Sequence, residues 1–151
     1  MTTAYLALGS SMGDRKKTID AAILELGRLD GVTVTRRSSV INTVPEGAVA
    51  QNTFLNCALE IETTLAPLEL LEQALATEES LGRTRILKWE DRVIDIDIIL
   101  FGDLVMDKPR LTIPHPLFRE RAFVLRPLAE IAPRVKDPVT EKTIAELLEA
   151  C

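Results

Sequence analysis

The chain has 151 residues, 46% hydrophobic and 27% charged, the make-up of a globular protein long enough to bury a core within one domain. Its net charge of -5 argues against non-specific nucleic-acid binding, and an aromatic content of 4% argues against base-stacking platforms. No apolar run has the length of a bilayer span and the N-terminus lacks a signal-peptide pattern; two cysteines without metal or disulfide spacing fit a reducing, cytoplasmic setting.

In chain order, Thr3 to Leu8 reads as a short buried strand, and Gly9 to Asp14 as a loop. Asp14 is placed to cap a helix from Arg15 to about Leu29, with Ile19, Ala22, Ile23 and Leu26 in one stripe. The glycine-containing loop lacks the phosphate-binding patterns, so a plain turn into a helix is the simpler reading. After the Asp30-Gly31 turn, Val32 to about Thr43 reads as a second strand. Val44 to Thr53 forms a loop of about ten residues, long enough to be a binding loop.

Phe54 to Thr63 reads as a third strand. Phe54, Asn56, Ala58 and Glu60 point one way, and Leu55, Cys57, Leu59 and Ile61 the other. Asn56 either meets water or offers its amide to a ligand. Pro67 opens a second helix with the stripe Leu68, Leu71, Ala74, Leu75 and Leu81, closed by Gly82. Arg83 to Asp91 is a charged loop carrying Trp89, which covers apolar surface or stacks on a ring or cation.

The most informative stretch is Arg92 to Phe101, a β-branched strand interrupted by Asp95 and Asp97. Residues two apart on a strand share a face, roughly 6–7 Å from each other. Ile94, Ile96, Ile98 and Leu100 are expected to point into a core, and Ile99 and Phe101 to continue the aspartate face. Two adjacent carboxylates either keep that face wet or bind a divalent cation that relieves their repulsion. The nearby Arg83, Arg85, Lys88 and Arg92 and the apolar continuation of the face favour the cation.

Leu104 to Met106 and Leu111 to Ile113 form a small hairpin around Lys108-Pro109. His115, the single histidine, stands between two prolines; Arg119 and Arg121 follow at the start of a helix, where anions are favoured. Pro127 and Pro133 are expected to break the next stretch, and Thr143-Ile144-Ala145-Glu146 is a capping box for a last helix. The order β-α-β-β-α-β is that of an α+β, ferredoxin-like fold: an antiparallel sheet with helices packed on one face, plus extra C-terminal elements.

Taken in order, five segments resemble the 6-hydroxymethyl-7,8-dihydropterin pyrophosphokinase family of the folate pathway. They are Ala7-Leu8-Gly9-Ser10, Phe54-Leu55-Asn56, Leu81-Gly82-Arg83, Arg92-Val93-Ile94-Asp95-Ile96-Asp97-Ile98, and Ile113-Pro114-His115-Pro116 with Arg121-Ala122-Phe123. The resemblance runs over nearly the whole chain and implies one pyrophosphokinase domain at residues 1–151. It implies transfer of pyrophosphate from ATP to the pterin's hydroxymethyl group, with release of AMP. Asp95 and Asp97 would hold two Mg²⁺ ions, and Arg83 and Arg92 would be the catalytic arginines. Glu78, Arg85, Trp89, Ile98, Arg110, Thr112, His115 and Arg121 would meet ATP. Phe54 and Phe123 would sandwich the pterin, with Asn56, Thr43, Pro45 and Glu46 along its edge. ATP and the pterin are then the expected partners of a monomer that needs neither nucleic acid nor membrane.

Some positions depart from the family's usual pattern. Ser11 stands where Asn is usual, Phe54 where Tyr is usual, and Leu75 where Gln is common. Glu46 replaces an apolar residue, and Glu90-Asp91 replaces a small-residue and proline-like pair before Arg92. The acidic pair and Ser11 support an alternative, a catalytically weak relative that serves as a pterin- or nucleotide-binding module. The acidic charge and the lack of strand-borne aromatic motifs argue against a ferredoxin-like RNA-binding domain.

Overall fold

Ala4-Tyr5-Leu6-Ala7-Leu8 is apolar throughout, so strand β1 (Thr2–Ser10) packs side chains on both of its faces. The computed structural model describes residues 1–11, 14–43, 54–82 and 94–151. β1 pairs antiparallel with β4 (Phe54–Thr63) on one side and β5 (Asp95–Phe101) on the other. β2 (Val32–Arg37) and β3 (Ile41–Thr43) share the outer edge of β4, and the sheet order is β2-β4-β1-β5. With helices α1 (Arg15–Gly27) and α2 (Pro67–Ser80) as crossovers, this is the ferredoxin-like α+β sheet expected.

One face of the sheet is sealed by α1 and α2. Leu6, Leu59 and Ile61 meet Ile19 and Leu26 of α1 and Leu70 of α2, and Ile94, Ile96 and Ile98 join the same cluster. Each such side chain contributes about 1.5–3 kcal/mol on burial. The second face is covered as well, which a one-sided sheet does not anticipate. Tyr5, Ile99 and Leu100 pack against Leu125 and Leu128 of α3 (Ala122–Ile131) and Leu147 of α4 (Ile144–Glu149).

Several boundaries and faces differ from expectation for identifiable reasons. β1 runs on through Gly9 and Ser10 because both pair with β4. The second strand divides at residues 38–40. The Ser38 hydroxyl accepts the Ala58 N–H at 2.8 Å and donates to the Ser39 carbonyl, and the Glu130 carboxylate accepts from both the N–H and the hydroxyl of Ser39. A register shift opposite Tyr5 and Leu6 makes Ile99 an extra residue in β5. Phe101 therefore joins Ile94, Ile96 and Ile98, and Leu100 turns to the other core, the reverse of strict alternation. The described part of this strand begins at Asp95.

Asp14 caps α1, accepting the Lys17 N–H at 3.2 Å, and Pro67 opens α2. The buried side of α2 is Leu70, Ala74, Thr77 and Glu78, while Leu75 is 41% exposed. β6 (Met106–Lys108) and β7 (Leu111–Ile113) form the hairpin, two residues later in its first strand than expected. Pro127 lies inside α3 without ending it. The capping box of α4 is present in both directions, at 3.0 and 3.2 Å. Arg119 turns away to Asp137, whose side chain is fully buried, so it belongs to the framework beneath α3 and not to an anion site.

Candidate active site

The site grows from the register of three strands. Asn56, Gly9 and Asp95 stand side by side across β4, β1 and β5, and Ala58, Ala7 and Asp97 form the matching row one step along the same face. Small residues in the middle strand leave a trough between an amide on one side and two carboxylates on the other. Strands lie about 4.8 Å apart, so Asn56 and Asp95 face each other over roughly 10 Å. Thr43 and Phe54 close the β3 end, and Arg121, Phe123 and Val124 of the α3 start close the top, enclosing about 310 Å³.

Both aspartates share one face, as the two-residue spacing requires, and line this cavity with Asp95 half-buried and Asp97 exposed. Asn56 is only 7% exposed, which rules out a strand asparagine facing bulk water. Its Nδ2 donates to Thr43 Oγ1. Arg121 caps α3 and lies over the Phe123 ring, 5.5 Å from its centroid, so the cation and the ring are presented together. His115 donates its backbone N–H to the Ile99 carbonyl at 3.0 Å, and its Nδ1 accepts the Leu117 N–H at 3.2 Å. Burial holds its imidazole below the ordinary pKa; the Asp97 charge opposes that and the Arg121 charge adds to it.

Glu78 is buried and not an open nucleotide contact. Its Oε2 accepts the Ile96 N–H at 2.6 Å, on the edge of β5 between the two aspartates. The Ile98 side chain lies in the core under α2, on the opposite face from the cavity. Arg110 is exposed on the hairpin and pairs with Glu72 at 3.3 Å, and Thr112 donates to Asp107 at 3.4 Å. Thus Glu78, Ile98, Arg110, Thr112 and His115 are not among the residues that line the cavity, which brings together Thr43, Phe54, Asn56, Asp95, Asp97, Arg121 and Phe123. Pro45, Glu46, Arg83, Arg85, Trp89 and Arg92 lie outside the described residues. Ala7, Leu8, Gly9 and Val124 also line the cavity beyond the residues expected there. Gly9 reads as a turn in sequence; only its partners across the sheet make it a floor.

The donor set suits Mg²⁺. Two carboxylates stand on one strand face, and among the described residues no group of three or more His, Cys, Asp or Glu side chains comes together. Mg²⁺ is ordinarily bound by one or two carboxylates, with water and substrate phosphates completing its octahedron.

A family model described as 7,8-dihydro-6-hydroxymethylpterin-pyrophosphokinase matches residues 5–133. The 2-amino-4-hydroxy-6-hydroxymethyldihydropteridine pyrophosphokinase of Bacillus subtilis is 46% identical over 137 residues, covering 91% of this chain and 82% of the relative. The protein of that name from Methylorubrum extorquens is 47% identical over 133 residues, covering 88% and 84%. Among solved structures, a triple mutant of Plasmodium falciparum HPPK-DHPS with STZ-DHP matches with a TM-score of 0.80 at 17% identity. That match covers 99% of this chain but 43% of the longer one, and at such identity it is a likeness of fold.

Proposed function

The chain belongs to the 7,8-dihydro-6-hydroxymethylpterin-pyrophosphokinase family, and from this we infer that it transfers pyrophosphate from ATP to the hydroxymethyl group of 6-hydroxymethyl-7,8-dihydropterin, releasing AMP, in folate biosynthesis. The observation that carries the site assignment is the single cavity that joins two aromatic rings, an amide and two carboxylates. The pterin lies between Phe54 and Phe123, whose faces suit a flat heterocycle. Asn56 hydrogen-bonds its amide-like edge, and the trough over Gly9 and Ala7 directs the hydroxymethyl group toward Asp95 and Asp97.

Asp95 and Asp97 would hold Mg²⁺, two ions in this reading, and the metal would supply neutralisation of phosphate charge and Lewis-acid polarisation of the phosphoryl group. Arg121, steadied on Phe123, supplies positive charge where the phosphates enter. His115, whose burial favours the neutral imidazole, is the further polar group assigned to the nucleotide on the family resemblance. Arg83 and Arg92 take the transferring group, and Arg85, Trp89, Arg110 and Thr112 the remainder of ATP, on the strength of the family resemblance. Positioning of two bound substrates supplies much of the acceleration in such a site. Identities of 46% and 47% to proteins named as pyrophosphokinases favour the enzyme over a binding module, and turnover separates the two. The enzyme reading extends to one catalytic unit over residues 1–151, acting as a cytoplasmic monomer without nucleic acid or membrane; no described helix is long and apolar enough to cross a bilayer.

Mass spectrometry of the pterin after incubation with the protein, ATP and Mg²⁺ tests the reaction. A pterin diphosphate formed in step with AMP is expected. A monophosphate formed with ADP, or an unmodified pterin, would overturn the assignment.

A further inference from the structure

A carboxylate is poorly suited, on local grounds, to the place that Glu78 occupies. It is 3% exposed, and it sits in the last turn of α2, where the helix dipole opposes negative charge. A leucine there would carry neither penalty, so burial of apolar surface does not explain the residue. What the carboxylate reaches is backbone in another element: its Oε2 accepts the Ile96 N–H at 2.6 Å.

Ile96 is the residue between Asp95 and Asp97. It faces Leu8 across the ladder, and the two aspartates face Gly9 and Ala7. Among the described residues β1 is the one strand that pairs with β5, and their ladder ends at Asp95. The end of an edge strand is where a sheet frays first. Glu78 takes hold of β5 at that end, from α2, while the Ile96 side chain is anchored in the core below, 4% exposed. The backbone that carries both aspartates is thereby fixed by the β1 ladder, by packing and by one buried acceptor.

We propose that Glu78 is a positioning residue for the carboxylate pair: through the Ile96 amide it holds Asp95 and Asp97 at the separation that a divalent cation requires, without touching the ion or the nucleotide. The inference rests on the pyrophosphokinase reading of Asp95 and Asp97 and adds a residue that acts through the strand between them.

Mn²⁺ titrated into the free protein and followed by electron paramagnetic resonance probes the pair, and amide hydrogen exchange by NMR follows the strand. Glu78→Ala should weaken Mn²⁺ about tenfold, the lower end of what supporting groups contribute to a metal site. It should speed exchange at Ile96 and Asp97. Glu78→Gln, which keeps an acceptor and drops the charge, should bind Mn²⁺ within about threefold of wild type. Affinity for the pterin, and for ATP in chelator, should stay within about twofold in both variants. Leu59→Ala destabilises the same core away from the aspartates and should leave Mn²⁺ affinity within about twofold. Coupling is reciprocal, so Mg²⁺ added to wild type should slow exchange of the Ile96 amide.

Mn²⁺ bound equally by Glu78→Ala and wild type would overturn the inference. So would Gln as weak as Ala, which makes the charge and not the hydrogen bond responsible. Weakening of metal-free ATP in step with Mn²⁺ would make Glu78 a nucleotide contact, and an equal Mn²⁺ loss in Leu59→Ala would reduce its role to general stability; either sinks the proposal. If Glu78→Ala does not fold, the wild-type protein decides: Ile96 exchange unmoved by Mg²⁺ would refute the coupling. Wild type that binds no Mn²⁺ would overturn the metal reading of the two aspartates itself, before any variant is compared.

Discussion

The two faces of the sheet are built by the same strands and put to different uses. Under α1 and α2, Leu6, Leu59, Ile61, Ile94, Ile96 and Ile98 close on one another and leave no group for a ligand. On the other face the cover is incomplete. Where α3 and α4 lie over the sheet, polar groups are satisfied within the protein: Tyr5 donates to Glu60 at 2.8 Å and Thr35 to Glu60 at 2.9 Å. Burial, helped by Glu60, drives the Tyr5 hydroxyl pKa upward, so it remains a donor. Where α3 begins, the same face carries Asn56, Asp95 and Asp97 beside small residues, and a cavity opens. A face sealed on every side specifies the fold, and a face left uncovered at one end supplies the chemistry.

This contrast can be broken from the sealed side first. Leu59→Ala removes a fully buried side chain from the dry core and should cost about 2–5 kcal/mol, read from denaturant midpoints, with pterin affinity of the folded fraction kept. A loss below about 1 kcal/mol would mean that this core is far looser than its burial indicates.

Next in size is the framework under α3. Burial alone would raise the Asp137 pKa, but Arg119, the Val139 N–H and the Thr140 hydroxyl outweigh it and bring it to about 2, from an ordinary 3.8. A depressed carboxylate pKa contributes stability that is whole above 3.8 and is lost as pH falls from there through about 2. Asp137→Ala should cost about 3 kcal/mol at neutral pH by stranding Arg119. Asp137→Asn should flatten the stability profile in that acid window, and an unchanged profile would contradict the assignment.

Glu78 links the two faces, since a buried carboxylate under α2 holds the Ile96 amide between the two aspartates. Glu78→Ala should cost about 1–3 kcal/mol, the penalty for an unpaired buried N–H. Glu78→Gln, whose amide oxygen can still accept, should cost less; equal losses would show that the hydrogen bond is not what holds the strand. Smallest of all, Arg110→Ala on the exposed hairpin should move stability by under about 0.5 kcal/mol. A raised KM for ATP in the same variant would give Arg110 a nucleotide role that its pairing with Glu72 does not reveal.

Period-two alternation was legible wherever the ladder is regular. It put Phe54, Asn56, Ala58 and Glu60 on one face of β4, and Asp95 with Asp97 on one face of β5. It fails at Leu100 and Phe101, because the extra residue at Ile99 sits among isoleucines and leucine, which suit either core. The α2 stripe holds at Leu68, Leu71, Ala74 and Leu81 and fails only at Leu75, for a related reason. Hydrophobicity favours Leu75 over Glu78 for the interior, and only the edge amide of Ile96 makes the carboxylate the better choice. Ser38 and Ser39 end β2 through partners as distant as Glu130, which no local pattern contains. Gly9 is the most instructive miss, since glycine beside serine reads as a turn until Asn56 and Asp95 are seen on either side.

In the proposed reaction the carboxylates of the open face would hold the Mg²⁺ on which transfer depends. AMP release from ATP, with the pterin present, should be measured for wild type and Asp97→Ala, each in Mg²⁺ and in chelator. AMP is expected from wild type in Mg²⁺ alone, with a fall of roughly a hundredfold or more in Asp97→Ala and pterin binding retained because Asn56, Phe54 and Phe123 are untouched. Undiminished AMP from Asp97→Ala, or from wild type in chelator, would contradict it.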